Sequence, residues 1–453
     1  MARTWDLGGW ALGDFLSTLF ERRRAGELAA SGKPLPDLCR ALLSGQGEVS
    51  GIKRAAEVLL RYRQSAPAEK HAFFRFLADE MDLDPAAVAE AAQAYAEGRD
   101  AAQLSKLLTV AEPPRQELLR RLNQAPGGTA DLVAMRVDLM AAAKEMPDLA
   151  RVDLDFRHLF ASWFNRGFLL LRRIDWESPA NILEKIIEYE AVHEIHSWDD
   201  LRRRLEPADR RCFAFFHPAM PDDPLIFVEV ALTRGIPGAV GPLLAEDRKA
   251  LTAAEMDTAV FYSISNCQAG LRGISFGNSL IKQVVDVLGR EVPGLKTFVT
   301  LSPIPGLSRW LEGQDDPQAA ALLAGDAADM DAEMLRSQAA LYLLEAKGKN
   351  GQPLDPVARF HLGNGAEVHE VHAAADLSPK GRAQSCGAMV NYLYDPARVE
   401  QNHEAFATHQ TVAAARGIKA LVKAGVKAGV KAGAKTAAAP AKEQPEKERK
   451  TND

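Results

Sequence analysis

Thr258-Ala259-Val260-Phe261-Tyr262-Ser263-Ile264-Ser265 opens the stretch whose reading decides this fold. It continues through Gln268-Ala269-Gly270-Leu271-Arg272-Gly273-Ile274-Ser275-Phe276-Gly277 and closes on Ser302-Pro303-Ile304-Pro305-Gly306. Val260 to Ser265, rich in β-branched and aromatic residues, reads as a strand. The glycine-punctuated loop leads into a helix beginning near Asn278, with Leu280, Ile281, Val284, Val285 and Leu288 on one face and a stop at Gly289. Leu295 to Leu301 is a second strand, delivering the Ser302 hydroxyl just beyond its C-terminal end. The prolines that follow fix φ and remove donors, so this turn is stiff. Loop amides at a helix N-terminus favour an anion, because the first helical N–H groups lack internal partners and the dipole turns its positive end outward. Gln268 and Arg272 add donors suited to a pyrophosphate, and the pattern points to a phosphate-bearing carrier such as coenzyme A. Spacing alone serves a tight strand-to-helix turn equally well. Gly270, Gly273 and Gly277 do not keep the dinucleotide order, and no Gly-Lys-Ser/Thr opens the helix.

Around this stretch, 453 residues exceed one ordinary core, and 47% apolar with 26% charged residues is the balance of a soluble globular protein. No apolar run reaches the roughly 20 residues that cross a bilayer. Met1 to Arg24 is interrupted by Asp6, Asp14, Glu21 and Arg22-Arg23-Arg24, unlike a secretory signal or a transit peptide. The ending Thr451-Asn452-Asp453 is not a peroxisomal signal. Cys39, Cys212, Cys267 and Cys386 are scattered, with no pair to hold zinc, which suits a reducing bacterial cytoplasm. From Arg416 on, ten Lys or Arg against four acidic residues give +6; the whole chain is −6, leaving −12 before it. Such a body does not suit nucleic acid.

Helical stripes dominate the first part: Ala55, Val58, Leu59 and Tyr62; Leu104, Leu107 and Leu108; Leu118, Leu119 and Leu122. Stops fall at Pro34-Leu35-Pro36, Pro113-Pro114 and Pro126-Gly127-Gly128. The expectation is an all-helical bundle over residues 1–152, with one face available for self-association. A domain over residues 153–412 follows, with strands at Cys212 to Phe216 and Leu225 to Leu232, making the whole an α+β protein in two domains. Asp329 to Leu344 reads as a helix. Phe360 reads as part of a strand leading to Asn364-Gly365, a hairpin signal. Residues 413–453 repeat Ala-Gly-Val-Lys, with Lys419, Lys423, Lys427, Lys431 and Lys435 four apart and Gly425, Gly429 and Gly433 between them, and read as a solvated, disordered tail.

Three sets of histidines invite chemistry. His361 lies just before the Asn364-Gly365 turn, and histidine suits proton transfer near neutrality; a structural role on a strand is the plainer alternative. His369 and His372, three apart on a strand, would face opposite ways and not share a metal. His193 and His196 have helical spacing without a metal-ligand pattern and read as surface. No Gly-x-Ser-x-Gly elbow surrounds Ser302, which argues against an α/β-hydrolase; on its residues alone Ser302 could merely bond its own turn.

The loop from Arg272 to Gly277 resembles the phosphate loop of the acyl-CoA N-acetyltransferase superfamily, with Ser275 where the first glycine would stand. A broader resemblance covers roughly Gly127 to Tyr394. Gly127-Gly128 with Arg136, Trp176-Glu177-Ser178-Pro179, Glu190-Ala191-Val192-His193, Phe261-Tyr262-Ser263-Ile264-Ser265, Leu301 to Gly306, Phe360-His361-Leu362 with Asn364-Gly365-Ala366, Ser385-Cys386-Gly387 and Asn391-Tyr392 occur in order. Together they resemble the malonyl-CoA decarboxylase family. Two departures stand out: Ser275 where the family commonly has glutamate, and Glu370-Val371-His372-Ala373 where relatives often carry Arg-Ile/Leu-Asn-Trp.

The resemblance implies a helical N-terminal domain used in oligomerisation, as a homotetramer or homodimer, and an acetyltransferase-like mixed α/β catalytic domain. It implies Ser302 and His361 as the catalytic pair and Tyr394 as an active-site residue. The CoA moiety would be bound by Gln268, Gly270, Arg272, Gly273, Ser275, Gly277 and Asn278. Malonyl-CoA would be the substrate, coenzyme A part of it, with no separate cofactor and no metal. Ser302 would hold the malonyl group, and His361 would protonate the enolate left when CO2 departs. An acyltransferase to an amine and a non-catalytic acyl-CoA sensor are the alternatives, separated by supplying malonyl-CoA alone.

Overall fold

The computed structural model describes residues 32–45, 47–276, 280–325 and 331–427. The chain is first helical, as its stripes predict: α1 (Leu35–Ser44), α2 (Glu48–Arg63), α3 (Pro67–Asp79), α4 (Pro85–Gly98), α5 (Ala101–Val110), α6 (Pro114–Asn123), α7 (Gly128–Glu145) and α8 (Ala150–Trp163). The segments up to Arg172, with Phe215–Ile226 and residues 266–276, form one compact unit. This division differs from a simple cut after residue 152. The prolines taken as stops open helices instead: Pro36 and Pro114 lie in the first turns of α1 and α6, where a missing N–H breaks no helical bond. Asp84 and Asp100 cap α4 and α5 by accepting from the backbone N–H of Ala86 and Gln103. Leu42, Val58, Phe74, Leu118, Leu132, Met135 and Phe156 fill the core. Buried Arg115 donates to Asp155 and, at 2.6 Å, to Asp82. The α5 stripe is the exception to the expected core: no α5 residue is buried, and Leu104 and Leu108 are exposed.

The second unit holds the remaining described residues. The strands among the described residues are β1 (Leu170–Ile174), β2 (Arg210–Phe216), β3 (Ile226–Thr233), β4 (Thr258–Asn266), β5 (Thr297–Thr300), β6 (Ser302–Pro303), β7 (Glu367–His372) and β8 (Met389–Leu393). Among the described residues they form one sheet of order β1-β2-β3-β4-β5-β8-β6, with β7 also paired to β8. Helices α9 (Ala180–Tyr189), α10 (Trp198–Leu205), α11 (Gly241–Leu244), α12 (Leu280–Glu291), α13 (Leu307–Glu312), α14 (Pro317–Ala324), α15 (Ala332–Glu345), α16 (Pro356–Gly363), α17 (Pro379–Ser385), α18 (Val399–His409) and α19 (Arg416–Lys427) accompany it. The result is the mixed α/β domain expected after the helical one.

β4 and β5 are parallel over four residues, from Thr258 opposite Thr297 to Phe261 opposite Thr300. Beyond that register they part. β4 runs on to Asn266, whereas β5 ends and the chain pairs with β8 through Ser302, opposite Val390. Val260, Tyr262, Val299, Leu301, Ala231 and Met389 make the apolar cluster on this part of the sheet.

Three readings need correction. His361 is not on a strand: Asp355 caps α16 by accepting from the Ala358 N–H at 2.8 Å, Pro356 opens the helix, and His361 falls in its last turn. Asn364-Gly365 is accordingly no hairpin but the end of that helix. Gly365 has φ of 85°, and a Cβ there would run into the Val399 carbonyl oxygen. β7 and β8 do pair antiparallel, with a bulge between Val368 and Glu370, but α17 lies between them in the chain. Finally, the tail does not begin at residue 413. Ala415 donates to the Val368 carbonyl, and α19 buries Ile418 and Val422 while Lys419 and Lys423 stay exposed. The remainder, from residue 428, lies outside the described residues.

Candidate active site

Ser302 stands where the ladder between β5 and β8 is interrupted. Val299 faces Leu393 and Ser302 faces Val390, in one continuous antiparallel register. The intervening bond would run from the Tyr392 N–H to the Thr300 carbonyl. Instead the Tyr392 N–H donates to the Thr300 hydroxyl at 3.2 Å, and the Thr300 carbonyl accepts from the side-chain amide of Asn391 at 2.8 Å. The Leu301 N–H turns to the Phe261 carbonyl of β4. Two side chains thus replace two backbone groups, and the serine follows directly.

The Ser302 hydroxyl donates to Thr300 Oγ1 at 2.9 Å and lies 3.2 Å from Nε2 of His361. Nδ1 of His361 lies 2.8 Å from the Tyr394 hydroxyl. The ring of Tyr392 stacks on the imidazole at 4.5 Å and 23°. All five side chains are buried, Ser302 at 6% exposure and His361 at 3%. Burial pushes His361 down to about 3 and the Tyr394 phenol well above its usual value, because a charge there would lose its hydration. Both are therefore neutral near pH 7, and a neutral imidazole has one donor and one acceptor nitrogen.

These constraints set a direction. Because Ser302 gives its proton to Thr300, its oxygen accepts from Nε2–H. Nδ1 is then the acceptor for the Tyr394 O–H. The row reads Tyr394 to His361 to Ser302 to Thr300, each group donating to the next. Ser302 does not offer its proton to the imidazole, as an activated nucleophile would. Buried Asp355 helps hold the frame: it caps the helix carrying His361, and Tyr342 lies 3.5 Å from it.

The glycine loop belongs to the first unit. Gln268 donates its side-chain amide to the Pro224 carbonyl at 3.0 Å. Gly270 is buried, and a Cβ there would strike the Val133 carbonyl oxygen of α7, so this glycine is required for close packing. Gly273 has φ of 78°. Arg272 and Ser275 are exposed. The Leu271, Arg272 and Ile274 amides bond within the loop. Gly277 and Asn278 lie outside the described residues. The loop's main anchor is a residue that spacing did not single out: buried Arg136 donates to the carbonyls of Gly270 at 2.7 Å and Arg272 at 2.9 Å, and pairs with Asp153.

Of the other polar groups, His372 reaches this row through Asn391. Glu190 accepts from Ser263 and from the Val192 and His193 amides, bracing the end of β4. His193 is buried in a loop rather than on a surface helix, and burial lowers it to about 4; His196 is exposed. His372 bonds the Asn391 side-chain oxygen. Among the described residues no group of three or more His, Cys, Asp or Glu gathers as metal ligands. No described helix is long and apolar enough to cross a membrane. Thr300 escaped the sequence reading, and Tyr392 entered it only within the Asn391-Tyr392 motif, with no role assigned.

Comparison with known proteins bears on this site. The malonyl-CoA decarboxylase C-terminal domain profile matches residues 167–432, and the N-terminal domain profile of that enzyme matches residues 82–164. Mitochondrial malonyl-CoA decarboxylase of Rattus norvegicus is 33% identical over 439 residues, covering 86% of each chain. The crystal structure of malonyl-CoA decarboxylase from Rhodopseudomonas palustris is 51% identical with a TM-score of 0.82, covering 86% of this chain and all (100%) of that one. That from Agrobacterium vitis is likewise 51% identical, at a TM-score of 0.81, covering 86% and 99%. These matches define the class as a carboxy-lyase. The chain belongs to the malonyl-CoA decarboxylase family.

Proposed function

We propose that this chain converts malonyl-CoA to acetyl-CoA and CO2, with Ser302 holding the malonyl group and His361 supplying the proton. The observation that carries this reading is the buried, one-directional row from Tyr394 to Thr300. Cleavage sends the carboxylate's electrons through the α-carbon onto the thioester oxygen. The thioester is the electron sink, so the chemistry requires no metal or organic cofactor. Fixed donors near that oxygen stabilise the enolate.

One proton must then reach the α-carbon. His361 is neutral in the free protein, but a malonyl carboxylate beside it offsets the cost of an imidazolium. Protonation enters at Nδ1, where Tyr394 turns from donor to acceptor. Nε2–H, already directed toward Ser302, is the proton given up. The loop Gln268 to Phe276 would take the CoA pyrophosphate, with Arg272 as its exposed cation. Self-association through the helical unit, a cytoplasmic location, and no dealings with nucleic acid or membrane complete the proposal.

Purified protein given malonyl-CoA alone should release CO2 and acetyl-CoA. A requirement for an added amine would favour an acyltransferase, and binding without turnover would favour a sensor. The direction of the Ser302 proton speaks against the former, since acyl transfer through that serine would need its proton on His361.

A further inference from the structure

We infer that Thr300 is a positioning residue whose hydroxyl fixes the direction of donation along the Tyr394–His361–Ser302 row. This rests on the roles given to Ser302 and His361 above. Thr300 is fully buried at 0% exposure, and its Oγ1 accepts from the Ser302 hydroxyl and the Tyr392 N–H. Its carbonyl is held by Asn391, which in turn is held by His372. The residue therefore ties the serine to the strand that carries Tyr392, stacked on His361, and that ends just before Tyr394, bonded to His361.

Without that acceptor, the Ser302 proton has one remaining acceptor in the row, Nε2 of His361. The imidazole would then carry its own proton on Nδ1 and donate it to Tyr394. The row would run backwards, with Nε2 unable to give a proton toward the substrate.

Thr300→Val keeps shape and β-branching while removing the hydroxyl, and Thr300→Ser keeps the hydroxyl. Thr300→Val should lower kcat roughly ten- to a hundredfold with KM within about twofold, and Thr300→Ser should restore most of it. Ring-nitrogen NMR of isotopically labelled histidine should place the His361 proton on Nε2 in the wild type and Thr300→Ser, and on Nδ1 in Thr300→Val. If Thr300→Val fails to fold, Thr300→Cys, a weak acceptor, takes its place. Wild-type kcat in the variant lacking the hydroxyl overturns the inference. So does an unchanged tautomer, or a loss that Thr300→Ser does not restore. Ser302→Ala in the same assay separates the two levels: full activity there would sink the serine's role itself, whereas its loss beside a normal Thr300→Val sinks only this inference.

Discussion

The Tyr394 hydroxyl lies 2.8 Å from Nδ1 of His361, on the opposite side of the imidazole from its contact with Ser302. The phenol thus pairs the ring nitrogen of the tautomer that the Ser302–Thr300 bond sets, and does so from a buried position. Removing it leaves a buried ring nitrogen unpaired, a loss of about 1–3 kcal/mol. Tyr394→Phe should therefore lower kcat by roughly ten- to a hundredfold, while KM for malonyl-CoA changes little. Steady-state kinetics decide it; a variant with undiminished kcat would remove Tyr394 from the proton path.

Burial holds His361 at about 3 in the folded chain, against about 6.5 when unfolded. Between those values the unfolded chain binds the extra proton. The stability this group permits is complete above about pH 6.5 and is lost as pH falls toward 3. From pH 7.5 to pH 5 the wild type should lose about 2 kcal/mol more than His361→Gln, as read from urea unfolding. His193, lowered to about 4, adds a loss of the same sign to both proteins. Equal losses in the two would contradict the buried neutral imidazole.

Gly270→Ala tests the loop's packing. The added methyl meets a backbone oxygen of α7 rather than a flexible side chain, so the strain should cost about 1–3 kcal/mol. Chemical denaturation should show this as a lower midpoint, and an unchanged midpoint would mean the loop can shift freely.

Arg272 tests the loop's ligand. It is exposed, so Arg272→Ala should leave stability near the wild-type value. Loss of a charged hydrogen bond to pyrophosphate should raise KM for malonyl-CoA about tenfold with kcat nearly constant. A KM equal to the wild type's would move the CoA contact elsewhere.

The strand–loop–helix–strand order and the position of Ser302 were legible because each element is long or sharply punctuated. The helix bearing His361 was not. Arg359-Phe360-His361-Leu362 alternates like a strand, and Asn-Gly ends helices as readily as it turns hairpins. Its buried residues, Ala358, His361 and Leu362, do keep the three-and-four spacing of a helix, but over too short a span to stand out. The start of α19 was hidden by its lysines: Ile418 and Val422 form an equally regular stripe one residue before Lys419 and Lys423. Thr300 belongs to no motif, and Asn391, though part of one, showed no sign of its role there. Their importance comes from a broken ladder, which exists only once two distant segments meet.

That break has an effect on inheritance. Thr300 and Asn391, 91 positions apart, each satisfy by side chain a backbone group of the other's strand that a backbone group of their own strand would ordinarily satisfy. A substitution at either is felt as a change in main-chain partnering, so the two positions should drift together across descendants or not at all. Amide exchange offers the physical counterpart: the Tyr392 N–H, deep inside a sheet, owes its protection to one side-chain oxygen.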